Sequence, residues 1–187
     1  MKLKKGIGST LYILLLLVII FLFYIFSEKK TDDPVPPPAG QHPFVVEQTN
    51  QLIKQAADTG IVIVITDDFR SAEDQDQLYE KGRTSDGNIV TFAKGGESYH
   101  NFGLAIDFAL KTPSGNVIWD MEYDGNENSK ADWDEVVGMA KALGFDWGGD
   151  WARFKDYPHF QMDFGLTIQD LQNDERPPED SLPAETN

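Results

Sequence analysis

The chain has 187 residues, with 31 acidic against 16 basic side chains, a formal net charge of −15 and no cysteine. That charge excludes a polyanion such as nucleic acid as a partner, and the lack of cysteine excludes disulfides, so a hydrophobic core or a metal must hold any exported domain together. Lys2, Lys4, Lys5, Lys29 and Lys30 account for five of the sixteen basic residues, which leaves the chain beyond residue 30 more acidic still.

In chain order, the first feature is the unbroken apolar run "LYILLLLVIIFLFYIF". With its flanks from Ile7 it approaches the ~20 residues that cross ~30 Å of hydrocarbon as a helix. Lys2, Lys4 and Lys5 favour a cytoplasmic start, a bias that Lys29 and Lys30 reduce. The run exceeds a usual signal-peptide core, and no small-x-small cleavage site follows "FYIFSEKK". The expectation is therefore a retained anchor over 7–27, with residues 1–6 inside, the lipid bilayer as a partner, and the remainder on the extracytoplasmic side of the membrane; a cleaved signal is the alternative. A cysteine-free exported domain suits a Gram-positive exterior.

Residues 28–42, with "TDDPVPPPAGQH", read as a proline-rich, semi-rigid spacer that holds a domain at 43–166 away from the bilayer. His42, at this boundary, reads as a solvated surface residue. Pro43 to Asp58 reads as a helix stopped by Gly60, and "IVIVIT" as a buried β-branched strand. Ser71 to Asp74 forms a capping-box-like start for a helix through "EDQDQLYEKG". "LAIDFAL" alternates, with Leu104, Ile106 and Phe108 on one face and Ala105, Asp107 and Ala109 on the other, the period of a strand. A helix over Trp133 to Leu143 ends at Gly144, and "HFQMDF" alternates again, setting His159, Gln161 and Asp163 opposite Phe160, Met162 and Phe164. The acidic, proline-broken residues 167–187 read as a largely disordered tail. Helices mix with short strands without a βαβ rhythm, which predicts an α+β fold.

Chemistry concentrates on the two alternating strands. An ionised Asp107 between alanines is costly to bury unless a cation or hydrogen bonds compensate it. His100 lies just before a bend that Gly103 permits, and His159 sits on the polar face of its strand. Two histidines and a carboxylate form a three-ligand set for catalytic zinc, and an ion so held can acidify water and polarise a carbonyl. Asp156, three residues before His159 across Tyr157-Pro158, can reach the same point and act as general base, then general acid. Spacing alone leaves this reading level with a purely structural one.

The pattern Ser-x-His-x-x-Gly-x-Ala-x-Asp in "SYHNFGLAID", together with "DYPHFQ", resembles the zinc peptidases of the D-alanyl-D-alanine carboxypeptidase and L-alanyl-D-glutamate peptidase family. The likeness runs from about His42 to Phe164 through "TDDFRSAEDQDQLYEKGR", "GNIVTFAKGGESYH" and "GFDWGGDWARFKDYPHF", and is strongest to the bacterial cell-wall L-alanyl-D-glutamate endopeptidases. It implies a hedgehog-like zinc-peptidase fold, a small, mostly antiparallel sheet with flanking helices. It further implies His100, Asp107 and His159 as zinc ligands, Asp156 as acid/base carboxylate where many relatives carry glutamate, and Arg70 as a cleft arginine that pairs with a substrate carboxylate or polarises a carbonyl. Ser98 becomes a substrate-binding or ligand-supporting residue. Trp147, Trp151, Phe102 and Tyr99 are candidates for a cleft wall or for plain core.

"DGNENSKADWDE" follows the twelve-residue calcium loop, with Asp124, Asn126, Asn128, Asp132 and Glu135 at positions 1, 3, 5, 9 and 12 and Lys130 offering its carbonyl at position 7. Ser129 stands at position 6, where glycine is usual, so calcium binding and ordinary loop chemistry both remain open. For the whole chain, the leading expectation is a membrane-tethered zinc endopeptidase acting on peptidoglycan stem peptides. A D-alanyl-D-alanine carboxypeptidase and, in another class, a non-catalytic wall-binding module are the alternatives.

Overall fold

The structure, a computed structural model, describes residues 15–18 and 37–178. Contacts divide the chain into two units, Met1–Val35 and Pro36–Asn187. In the first, residues 15–18 are helical. The rest of the expected anchor over 7–27, most of the spacer and the tail beyond residue 178 lie outside the described residues. Among those described, no helix is long and apolar enough to cross a membrane.

The second unit is α+β. Helix α1 (Pro43–Asp58) carries Val45, Gln48, Thr49, Leu52 and Ala56 on its buried side, the three-and-four spacing of an amphipathic helix. His42 is its N-cap, not a free surface residue: Nδ1 accepts from the Phe44 amide at 3.3 Å and the ring packs 5.2 Å from Phe164. Strand β1 (Ile63–Asp67) leads to α2 (Ala72–Glu80), which Ser71 caps by accepting from the Asp74 amide. A 3₁₀ turn (Tyr99–Phe102) precedes β2 (Ala105–Lys111), and β3 (Val117–Ile118) follows. Next come α3 (Asp132–Ala142), β4 (Asp146–Trp147), a 3₁₀ turn (Gly148–Asp150), β5 (His159–Gln161) and α4 (Ile168–Gln172).

Every strand pairing is antiparallel, in the order β1-β2-β5-β4, with β3 on the far end of β2. Leu104, just before β2, and Ile106 and Phe108 on it lie in the core with Phe160, Trp133, Val136 and Ala140. Phe108 stacks on Phe160 at 4.9 Å and tilts against Trp133 at 4.3 Å. Fully burying such a side chain contributes about 1.5–3 kcal/mol, so this face fixes which way β2 and β5 present their other residues.

The chain expected to be disordered from Thr167 is folded further. Thr167 and Asp170 form a capping box for α4, and Leu171 is buried in the common core. One apolar side chain in register with a cap suffices to dock a turn that its acidic, proline-rich neighbours disguise.

Candidate metal centre and cleft

The antiparallel register sets Asp107 directly opposite His159 across β2 and β5. On the other edge of β2, Asp107 faces Asp67 at a break in the β1 register between Ile65 and Asp67; such a bulge re-aims side chains at a sheet edge. His100 arrives from the 3₁₀ turn. Ser98 caps that turn, its Oγ accepting from the His100 amide at 3.4 Å, while Asn101 Oδ1 returns to the Ser98 amide at 3.2 Å. Gly103 closes the turn at φ 68°, and a side chain there would collide with the backbone of Gly40 to His42. The expected bend is thus real, and it also seats the start of the domain.

Three donor atoms meet as a result. His100 Nε2 lies 3.2 Å from His159 Nδ1 and 3.3 Å from Asp107 Oδ1, and His159 Nδ1 lies 3.2 Å from the same oxygen. Each imidazole is held from behind: His100 Nδ1 contacts the Asp68 carbonyl at 2.6 Å, and His159 Nε2 contacts Gln161 Oε1 at 3.1 Å. Both outer partners are acceptors, so the ring protons go outward and two lone pairs face each other inside. Two inward lone pairs beside a carboxylate oxygen repel unless a cation stands between them. Tetrahedral zinc with ligands at about 2.0–2.1 Å requires donor separations of about 3.3–3.4 Å, so the triad fits such an ion.

Asp107 supplies the negative charge that a cation would balance. Burial opposes the Asp107 charge most strongly, yet hydrogen bonds and charge from His100 and His159 outweigh it and hold the carboxyl well below the usual carboxylate range. Burial likewise opposes protonation of His100, but Asp107 and the Asp68 carbonyl raise its pKa overall. Asp156 behaves oppositely: burial, then the Asp107 charge, push its pKa up against the counter-pull of His159, His100 and Arg70. A carboxyl raised in this way is suited to exchange a proton.

The triad opens into a cleft of about 740 Å³ that Arg70, Ser98, Asp156 and Gln161 also line. Arg70 is ion-paired with Asp67 and donates to Gln75 Oε1 at 2.6 Å. Gln75, fully buried, in turn donates to the Ala93 carbonyl at 2.8 Å and so ties the arginine to the wall that Thr91 and Phe92 form. Of the aromatics with an open role, Tyr99 and Trp151 line the cleft, whereas Trp147 donates to the Tyr157 carbonyl at 2.7 Å and Phe102 lines a separate hollow beside Arg176. Gln161, the Asp68 carbonyl and Gln75 were not singled out in the sequence. Gln161 had a signal, sharing the polar face of β5 with His159; a backbone carbonyl has none. Residues 124–135 take no part in lining this cleft.

This donor set and the adjacent carboxylate suit a metal-dependent, water-activating hydrolase. The sequence profile of a family described as D-alanyl-D-alanine carboxypeptidase matches residues 91–162, a span that includes His100, Asp107, Asp156 and His159. The peptidoglycan L-alanyl-D-glutamate endopeptidase CwlK of Bacillus subtilis (strain 168) is 64% identical over 121 residues, covering 65% of this chain and 72% of that protein. The L-alanyl-D-glutamate peptidase of Listeria phage A118 is 35% identical over 91 residues, covering 46% of this chain but 30% of its own length. Among solved structures, the Serratia marcescens L-Ala D-Glu endopeptidase ChiX is 24% identical, with a TM-score of 0.46 over 67% of this chain and 82% of that one. The chain belongs to the D-alanyl-D-alanine carboxypeptidase and L-alanyl-D-glutamate peptidase family of metallopeptidases, and it is an enzyme of that class.

Proposed function

We propose that this enzyme is a zinc endopeptidase that hydrolyses the L-alanyl-D-glutamate bond of peptidoglycan stem peptides. The observation that carries the reading is the 64% identity to an L-alanyl-D-glutamate endopeptidase over 121 residues. His100 Nε2, Asp107 Oδ1 and His159 Nδ1 would hold the zinc, which when bound supplies Lewis-acid chemistry to the water and the scissile carbonyl. Asp156 accepts the proton of the attacking water on a carboxylate oxygen and returns it to the departing D-glutamyl nitrogen, so the residue ends as it began. Arg70, with two of its five N–H groups engaged by Asp67 and Gln75, keeps donors for a substrate carboxylate beside the bond that breaks. Ser98 acts mainly by capping the turn that carries His100, and it also lines the cleft.

A D-alanyl-D-alanine carboxypeptidase is the second reading, favoured by the description of the matching family. The two separate on a muropeptide that carries both bonds, analysed by mass spectrometry after incubation with the zinc-loaded enzyme. Loss of the stem beyond its first alanine supports the endopeptidase. Release of terminal D-alanine alone refutes it in favour of the carboxypeptidase, and no product from zinc-loaded protein refutes both.

The proposal extends to location. Residues 7–27 tether the enzyme to the cell membrane with its domain on the wall side, supported by the apolar run and by Lys2, Lys4 and Lys5 ahead of it. An acidic domain gains little attraction from an anionic wall, so the tether supplies localisation. The full chain is expected in the alkali-resistant membrane fraction and a chain shortened to residues 31–187 in the soluble one; release of both by alkali contradicts the tether.

A further inference from the structure

Among the described residues, the carboxylates of the expected calcium loop, 124–135, do not converge as a ligand set, and Asp124 and Glu135 turn their oxygens to amides within the loop. The catalytic cleft is more informative, because it has an apolar end that the metal ligands, Asp156 and Arg70 do not account for. Phe92, 69% exposed, and Phe154, 52% exposed, both line it, with Val90 close to Phe92 in the chain. Phe92 is the most exposed large apolar side chain among the described residues. The two rings come from separate segments, one ahead of the turn that carries His100 and one just before Asp156, and they meet edge to face with centroids 5.8 Å apart. Neither is part of the hydrophobic core. Contiguous exposed apolar surface of this kind marks a binding site.

Phe92 is exposed but its backbone is pinned on both sides. The Thr91 carbonyl accepts from Arg83 Nη2 at 3.0 Å, the Ala93 carbonyl accepts from the buried Gln75 at 2.8 Å, and the Ala93 amide donates back to Thr91 Oγ1 at 3.2 Å. Arg83 is itself held, with its guanidinium 3.8 Å above the Tyr79 ring. Phe154 precedes Lys155, whose Nζ donates to the Gly149 carbonyl at 2.6 Å. Trp151, also on the cleft wall, brings the aromatic surface to within 5.2 Å of the His159 ring. An exposed ring on a pinned backbone is a pre-organised anchor, whose ordering entropy is lost before the ligand arrives.

The two flanks of an L-alanyl-D-glutamate bond differ in chemistry. On the D-glutamyl side the stem carries carboxylates, which suit Arg70. On the L-alanyl side an amide joins the stem to the lactyl group of a muramoyl sugar, so that flank is uncharged and its ring carbons present a C–H face. Paired aromatic rings match this second flank, whereas they offer a carboxylate no donor. The cleft, at about 740 Å³, has the size of sites that take ligands larger than a dipeptide. We propose, resting on the L-alanyl-D-glutamate reading above, that Phe92 and Phe154 form a subsite for the muramoyl sugar and make the enzyme prefer stems still attached to glycan over free peptides. The rings pack against the C–H face of the sugar and take no part in bond cleavage.

The test gives the full zinc-loaded chain two substrates: a muramoyl stem peptide, and the same peptide with its L-alanyl nitrogen acetylated instead. Cleavage of the L-alanyl-D-glutamate bond is followed by mass spectrometry, with kcat and KM taken for each. The wild type is expected to favour the muramoyl substrate in kcat/KM by about 3- to 10-fold, chiefly through KM. Phe92→Ala and Phe154→Ala are each expected to lower that ratio by about threefold, whereas Phe154→Tyr, which keeps a ring, preserves it. An equal fall on both substrates in the alanine variants shows a merely structural role and overturns the proposal. A wild-type ratio of one, with both substrates cut, also overturns it while leaving the endopeptidase reading intact. Failure to cut that bond in either substrate refutes the endopeptidase reading, and the sugar subsite falls with it.

Discussion

Replacing Gly148 by alanine probes how Asp156 is placed without touching any group that reacts. Gly148 and Asp156 are in backbone contact: the Asp156 amide donates to the Gly148 carbonyl at 3.1 Å. A Cβ at residue 148 would lie 3.0 Å from Asp156 Cβ and closer still to its carbonyl oxygen, whereas ordinary contact begins at 3.4 Å. Relief at Cβ alone needs 3.4 − 3.0, or 0.4 Å, and the carbonyl needs more. The obstacle is backbone, so no side-chain rotation removes it. Catalytic groups must hold within about 0.5 Å of their working geometry, and a shift near 1 Å costs about 100-fold. Gly148→Ala should therefore lower kcat/KM between about 10- and 100-fold, chiefly in kcat, because Arg70 and the cleft wall are untouched. Mass-spectrometric turnover of the muropeptide, with zinc content measured on the same samples, is the assay. Wild-type kcat with zinc retained would refute the claim that this glycine positions the aspartate.

Asp156→Ala should keep zinc bound yet lose about 10²–10⁴-fold in kcat; equal activity would mean that the proton acceptor is elsewhere. Gln161→Leu removes the acceptor behind His159 and should weaken zinc binding about 10–100-fold in competition with a chelator, an effect read without any turnover. Leu171→Ala should cost about 2–5 kcal/mol, measured by denaturant unfolding, whereas a disordered tail would show no change. His42 gives a pH prediction: burial lowers its folded pKa below 6.5, so the unfolded chain takes up a proton first on acidification. Stability conferred by this cap is therefore full above pH 6.5 and falls as pH drops from there through the lower folded pKa. Comparison with His42→Asn, a cap that does not titrate, should show thermal midpoints that diverge in the variant's favour as pH falls from about 7.5 to about 5, across the ordinary histidine range.

Much of this fold was legible because its helices and strands obey their periods. The α1 stripe, the Ser71 cap and the alternation of "LAIDFAL" translate into structure with little change. Errors arise where tertiary contacts outrank local pattern. Ile61 reads as strand, yet its amide bonds to the Ala56 carbonyl and finishes α1 before β1 begins at Ile63. "HFQMDF" alternates for six residues, but the strand ends at Gln161 and Phe164 turns to φ 54°, so Asp163 does not continue the face of His159. At the site, the candidate ligands His100, Asp107 and His159, which the fold brings together, were visible as side chains of a metal-binding kind. What orients His100 was not, because the Asp68 carbonyl belongs to the backbone and reaches it only through the fold.

The register of β5 against β2 is the feature on which the chemistry depends most. Asp107 pairs with His159, Ile106 with Phe160 and Ala105 with Gln161, so one pairing sets two candidate ligands side by side, fills the core and leaves a small residue beside the glutamine. A slip by one residue would turn Phe160 toward the cleft and His159 into the core, since strand side chains alternate faces. Phe160 stacked on Phe108 opposes that slip through burial alone. The core thus selects the register before any metal arrives, and the triad is preformed. Phe160→Ala should therefore lower stability by about 3–5 kcal/mol and also weaken zinc binding in the fraction that stays folded. Chelator competition at a temperature well below the unfolding midpoint reads the second effect separately. Unchanged zinc affinity there would show that the ligands hold the register themselves.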